Sequence, residues 1–162
     1  MDIGSFYFIK DQYFIDFPDN KLMQNREIIG QEKHERPCYY AFQDKDTSIY
    51  WVIPISSQVS KYEKIYNKKI SKLGRCDTIH FGYVIGEKRA FLIQNMCPII
   101  DQYINNIYID LATKNPVVID KKLADEIVRK ARLVLKLEKM EKKIIFPDVL
   151  RIEAQLQSKL SL

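Results

Sequence analysis

A chain of 162 residues, 46 % apolar and 12 % aromatic with ten tyrosines and eight phenylalanines, can fill one core and is not a disordered or low-complexity protein. Its 26 lysines and arginines exceed its 21 acidic residues, and the resulting charge of +5 suits a polyanionic partner without establishing one. No stretch approaches the roughly 18 apolar residues of a membrane span, the N-terminus lacks the pattern of a secretion signal, and three irregularly spaced cysteines read as buried free thiols, so the expectation is a single cytoplasmic domain over residues 1–162.

In chain order, SFYFI (5–9) and YFIDF (13–17) have the aromatic and β-branched content of strands, and PDN (18–20) breaks the chain. Residues 20–36 are polar and weakly periodic, and read as a loop with some helix. PCYYAFQ, the turn-rich DKDTS and IYWVIPI predict a β-hairpin with Trp51 in the core. From Lys61 the period becomes helical: Ser60 and Glu63 form a capping-box pattern, Tyr62, Ile65, Tyr66, Ile70 and Leu73 recur on one face, and Gly74 is the stop. CDTIHFGYVI alternates, with Ile79, Phe81, Tyr83 and Ile85 on one face of a strand and Thr78 and His80 on the other, and GEK turns it into RAFLIQN. IDQYINNIYIDL predicts a short helix and KNP (114–116) a turn before VVI. Asp120 caps the longest helix, with Leu123, Ile127, Ala131, Val134 and Leu135 on one face and Leu133 and Leu137 at its border. IIFPDV then predicts a last strand and the C-terminus a last helix. The sum is an α+β domain built on a small antiparallel barrel or strongly bent sheet, because strands arriving as hairpins do not make a parallel, doubly wound sheet.

Two basic stripes stand out. Lys61, Lys64, Lys68 and Lys72 lie at spacings of three and four on the first long helix, and Arg129, Arg132, Lys136, Lys139 and Lys143 share a face of the second. Solvating a helix explains either stripe alone; two stripes in a mildly basic domain favour a nucleic acid. Lys33, His34 and Arg36 before the PCYYAFQ strand fit an RNA clamp or a solvated loop equally. At the joint after IYWVIPI, Ser56 and Ser57 have no capping role, and Lys61 and the helix N-terminus lie beside them, which makes an anion pocket suited to phosphate. His34 and His80 are far apart without motif-spaced carboxylates, so neither a structural zinc nor a metal-bound hydroxide is expected, and no cofactor. A metal-free route compatible with this set is RNA cleavage by the substrate's own 2′-hydroxyl, leaving a 2′,3′-cyclic phosphate. The rivals are an RNA-binding module that does not cut, and a serine hydrolase using Ser57 and Lys61, for which neither a G-x-S-x-G elbow nor an S-x-x-K motif is present.

Taken together in their order and spacing, FYFIKDQY (6–13), RPCYYAF (36–42), WVIPISSQVSKY (51–62) and QNMCPI (94–99) resemble the toxin subunits of type III toxin-antitoxin systems, the ToxN/AbiQ family and especially its CptN-like branch. The similarity runs over residues 5–145. It implies an SH3-like barrel similar to the MazF/Kid toxins with added helices, and a metal-independent endoribonuclease acting in phage defence. The implied partner is a repetitive small RNA folded into pseudoknots, which the toxin cuts into units that inhibit it in a closed RNA–protein assembly. Carried over by motif, the strand-end hydroxyl pair corresponds to Ser56 and Ser57, the active-site lysine to Lys61 and the tyrosine of the first segment to Tyr13. The chain departs from the better-known branch in the residues QVS between Ser57 and Lys61, which leaves room for His80 or Thr78 to share the work.

Overall fold

The run YWVIPIS becomes the strand around which the rest is assembled. In the computed structural model, which describes residues 2–162, the elements are β1 (Phe6–Ile9), α1 (Asp11–Asp16), β2 (Arg26–Ile29), β3 (Glu32–Glu35), β4 (Cys38–Gln43), β5 (Tyr50–Ser56), α2 (Val59–Leu73), β6 (His80–Val84), β7 (Glu87–Phe91), β8 (Cys97–Ile99), β9 (Ile104–Ile107), α3 (Lys121–Lys139) and α4 (Val149–Leu160). β5 is buried on both faces from Trp51 onward, as its nearly unbroken apolar content requires. β4 pairs along one edge of it, from Cys38 opposite Pro54 to Gln43 opposite Tyr50. Two strands share the other edge: β8 takes Tyr50 to Val52, and β7 takes Ile55 and Ser56. Pro54 falls in the gap between them. A residue without an N–H is therefore tolerated in a central strand, while its carbonyl still accepts from the Leu92 N–H at 2.9 Å.

The main sheet is antiparallel in the order β6-β7-β5-β4-β1-β9, with β8 beside β5. β6 and β9 are its two edges and do not pair with each other, so the closed barrel is not formed; the α+β class and the antiparallel hairpins are. β2 and β3 make a separate hairpin around Gly30, whose φ of +65° is the left-handed conformation that a tight turn needs. The loop expected over residues 20–36 is thus largely this hairpin.

Three further expectations are corrected by what the residues pack against. Residues 13–17 belong to α1 and its end, because Tyr13 and Phe17, four apart, both turn inward with ring centroids 5.2 Å apart. IDQYINNI is a single 3-10 turn (Asp101–Tyr103) followed by β9, captured as an edge strand by β1. IIFPDV is not a strand: the N–H groups of Ile144 and Ile145 donate to the buried Glu138 carboxylate at 2.6 and 3.0 Å instead of to a ladder. Asp120 caps α3 as expected, accepting from the N–H groups of Lys122 and Leu123, and Gly74 ends α2 in the left-handed conformation.

Two apolar clusters hold the helices. The larger contains Phe6, Trp51, Ile53 and Phe91 with Ile127, Ala131 and Val134 of α3 and Ile152 and Leu156 of α4; the smaller, under α2, is Tyr62, Cys76, Ile79, Ala90 and Leu92. β6 lies between them, and its predicted inward face holds at Ile79, which is fully buried, and at Phe81, packed on the smaller cluster, but not beyond: Tyr83 and Ile85 are 66 % and 46 % exposed, while Gly82 and Val84 are buried. The cause is α3. Its Leu123 sits so close over Gly82 that a Cβ there would lie 2.3 Å from Leu123 Cδ2 and 3.0 Å from Cγ. Gly82→Ala is expected to lower stability by about 1 kcal/mol or more through overpacking. In urea titrations the loss should shrink when Leu123→Ala is present in the same chain; an equal loss in both backgrounds contradicts the contact.

Candidate functional site

The joint between β5 and α2 is built by Ser56. Its side chain is turned in, 2 % exposed, and its Oγ accepts from the Gln58 N–H at 3.1 Å, the local side-chain turn that serine favours at a strand end. α2 therefore starts at Val59, one residue before the predicted cap, and its first N–H groups carry no side-chain cap. The Ser60/Glu63 capping box is not formed; the Glu63 carboxylate accepts instead from Lys88 Nζ at 2.8 Å. The Val59 N–H donates to the Ser57 carbonyl at 2.9 Å, and half-buried Ser57, exposed Lys61 and the uncapped N–H groups that follow Val59 share this end of α2. Lys61 Nζ lies 5.3 Å from the Tyr62 ring centre. A hydroxyl, an ammonium and aligned N–H groups in one place favour a phosphate oxyanion.

Arg36 lies beneath this joint. It is 6 % exposed, and its Nη1 donates to the Ile55 carbonyl at 2.8 Å and pairs with Glu27 Oε2 at 3.2 Å, while Nε donates to the Gln24 carbonyl at 2.9 Å. The expectation of Arg36 as a solvent-facing RNA clamp is corrected: its guanidinium is occupied with backbone and with Glu27. Burial pushes the Tyr62 hydroxyl pKa up, Arg36 opposing this and Glu27 adding to it, so the three groups are neighbours.

Tyr13, Thr78 and His80 do not join the site. Tyr13 is fully buried among Phe14, Phe17 and Tyr103 and its hydroxyl donates to the Pro98 carbonyl at 2.7 Å; burial first, then Cys97, holds its pKa well above the usual tyrosine range. Such a phenol does not exchange protons with a substrate at the surface. Thr78 Oγ1 accepts from Lys69 Nζ at 2.7 Å, eight residues and therefore about 12 Å along α2 from Lys61. His80 Nε2 is 3.2 Å from Glu126 Oε2 of α3. In register, His80 stands opposite Phe91 and Phe91 opposite Ile55, whereas Phe81 stands opposite Ala90 and Ala90 opposite Ser56. Directly opposed residues share a face and successive residues alternate, so the sheet separates His80 from Ser56.

The basic residues divide in the same way. Lys64, Lys68 and Lys72 are exposed on α2, over one face of β6 and β7, and Arg129, Arg132, Lys136 and Lys139 are exposed on α3, over the other. On α3, the Arg132 guanidinium stacks 4.4 Å from the Phe42 ring centre and Lys139 pairs with Glu153 at 3.5 Å. The two stripes are therefore separate surfaces and not one track. Lys33 and His34 are exposed on β3, and His34 Nε2 lies 3.6 Å from Glu32 Oε2. Two open grooves flank this hairpin, of about 570 Å³ and about 530 Å³, and Glu27 and Lys33 line both. The second reaches Arg36 and Gln58, at the β5–α2 joint. Sequence reading missed Glu27 and both grooves because the hairpin that forms them was read as a loop; Gly30 between Ile28-Ile29 and EKHE was its one local signal.

An open antiparallel sheet flanked by helices, with a serine-lysine joint at one strand end, defines the class of protein by its fold. The chain superimposes on AbiQ, a lactococcal anti-phage endoribonuclease belonging to the type III toxin-antitoxin system, with a TM-score of 0.69 at 18 % identity, covering 98 % of this chain and 99 % of that one. No family model and no curated protein sequence matches. The likeness is one of fold along the whole of both chains. Among the described residues no helix is long and apolar enough to cross a membrane.

The His80 environment has a consequence for stability. Burial, and then Lys130, hold its pKa below the ordinary 6.5, with Glu126 opposing them in part. The unfolded chain thus takes up this proton before the folded one does. The stabilisation is complete above about pH 6.5 and is lost as the pH falls through the lower, folded value. His80→Gln is expected to flatten the acid side of a stability-against-pH curve from urea midpoints; an unchanged slope contradicts it.

Proposed function

We propose that this protein is a metal-independent endoribonuclease toxin of a type III toxin-antitoxin system. The observation that carries the reading is the likeness to AbiQ along essentially the whole of both chains. In this reading the 2′-hydroxyl of the substrate attacks the adjacent phosphate at the β5–α2 joint. Lys61 and the uncapped N–H groups of α2 stabilise the added negative charge, and the Ser57 hydroxyl orients the phosphate. Ser56 holds the turn that presents them. The cationic side chains of α2, with Lys33, draw in the RNA backbone, and Arg129 and Lys136 on the opposite side offer a second anchoring surface. The natural inhibitor is a repetitive small RNA folded into pseudoknots, which the toxin cuts into units and which encloses it in an RNA–protein assembly. The cell compartment is the cytoplasm, where that RNA is made.

Purified protein incubated with end-labelled RNA in the presence of a chelator is expected to leave 2′,3′-cyclic phosphate ends and to spare the same sequence as DNA. Lys61→Ala should slow the cut by roughly 10²–10³-fold, the cost of one positioned charge donor. Ser57→Ala should act on rate, Ser56→Ala on stability by about 1 kcal/mol, and Tyr13→Phe on neither rate per folded molecule nor product. RNA that is bound but left intact identifies a binding module instead, and Lys61→Ala at wild-type rate removes the joint from the mechanism.

A further inference from the structure

Cleavage of this kind needs one group to take the proton of the 2′-hydroxyl and another to protonate the departing 5′-oxygen. Tyr13 and His80 are both engaged elsewhere. The β2–β3 hairpin carries a pair in their place. Glu27 stands directly opposite His34, so the two side chains leave the same face with Cβ atoms about 4.5–5.5 Å apart. Both line the groove of about 570 Å³, whose walls include Phe8, Tyr108 and Ile55 and whose cations are Lys33 and Arg89. Phe8 and Tyr108 stand ring to ring at 5.6 Å, a surface on which a nucleobase can stack.

Glu27 is set up unusually for a residue on an exposed hairpin. Its side chain is only 11 % exposed, and Arg36 Nη1 lies at ion-pair distance, yet that N–H is not aimed at Oε2, which is buried without a hydrogen bond. Arg36 holds that oxygen inward, and it is the exposed part of the carboxylate, in the groove, that meets a substrate proton. The same Arg36 nitrogen holds the Ile55 carbonyl, two residues before Ser57, so the hairpin carboxylate and the β5–α2 joint are tied through one atom. His34 is half exposed, with Glu32 beside its Nε2 to orient the ring.

We propose that Glu27 is the general base and His34 the general acid, with a nucleobase against Phe8 and Tyr108 and the scissile phosphate at Glu27, which lines both this groove and the one that reaches Gln58 at the β5–α2 joint; the assignment rests on the endoribonuclease reading above. Glu27 takes the 2′-hydroxyl proton as the 2′-oxygen bonds to phosphorus. The bond from phosphorus to the 5′-oxygen breaks, and the His34 imidazolium gives that oxygen its proton. The products are a 2′,3′-cyclic phosphate and a 5′-hydroxyl, and water then carries the proton from Glu27 back to His34. The charged group beside Glu27 is Arg36, with the neutral Tyr62 hydroxyl of α2 nearby and Lys33 lining the same groove; those around His34 are Glu32 on its own strand and Glu35, Arg89 and Glu87 along the groove.

The test uses the full chain at saturating protein over labelled RNA, in single turnovers across the pH range in which it stays folded. Wild type is expected to give a bell-shaped profile. E27Q should be slower by roughly 10²–10⁴-fold and lose the acid limb, with E27D keeping the limb at a smaller loss. H34A should fall by a similar factor and lose the alkaline limb. On RNA with a bridging sulfur at the scissile 5′ position, whose leaving group needs no proton, H34A should recover and E27Q should not. H34A should bind 2′-O-methyl RNA as wild type does, and E27D, which keeps the negative charge beside Arg36, is the control for any loss of binding in E27Q. If wild type cuts while E27Q and H34A stay within about threefold of it and keep the bell, or if the H34A defect persists on the sulfur substrate, the assignment is overturned and the endoribonuclease reading stands. If wild type does not cut at all, both fall.

Discussion

One buried guanidinium ties the β2–β3 hairpin to the β5–α2 joint. Arg36 reaches the end of β5 through the Ile55 carbonyl, the segment before β2 through the Gln24 carbonyl, and β2 itself through Glu27. An arginine so deep is stable only if its charge is met by an anion and its donors by carbonyls, and removing either partner leaves an uncompensated charge in a poorly solvated place. The β2–β3 hairpin has almost no apolar burial of its own, since β3 is exposed throughout. Its position over the β5–α2 joint therefore depends on this anchor and on the Asp11–Arg26 pair at 3.2 Å at its base.

The sheet imposes the other constraint. β5 must be paired on both edges because it is buried on both faces, and the strands available on one side are too short to cover it alone. β7 and β8 divide the task, and Pro54 marks the division. The consequence is that β5 ends where β7 is still paired, which brings the β6–β7 hairpin beside Ser56 and lets α2 lie back across Ala90 and Phe81. The serine turn is held by this arrangement as much as by its own hydrogen bond. Ser56 is held by that arrangement, its hydroxyl used inside the turn, while Ser57 next to it is half-buried.

Polar groups buried elsewhere serve structure. Lys69, Thr78, Cys76 and Lys130 link α2, the approach to β6 and α3 through side-chain and carbonyl contacts, and His80 with Glu126 extends the same seam. Each is satisfied by a neighbour, the arrangement that makes a polar seam stabilising rather than costly. Glu138 does the same service for the backbone of Ile144 and Ile145. Glu27 differs from all of these in having a buried oxygen left over.

By itself the sequence determined the central strand, the left-handed stop at Gly74, the Asp120 cap, the apolar face of α3 and the location of hydroxyls and lysine at a strand-to-helix joint. These depend on period, capping chemistry and turn residues within a few positions of one another, all of which a linear chain displays. Tertiary structure alone decided that β6 turns Gly82 and Val84 inward past Phe81, because that depends on Leu123 arriving over Gly82 from about forty residues away. It likewise decided that Tyr13 and His80 are inside, that Arg36 is an anchor, and that a polar stretch with one glycine folds up as a hairpin beside the joint. Local pattern specifies what conformation a segment prefers; what a side chain meets is set by segments distant in the chain, and proton-transfer chemistry depends on what it meets.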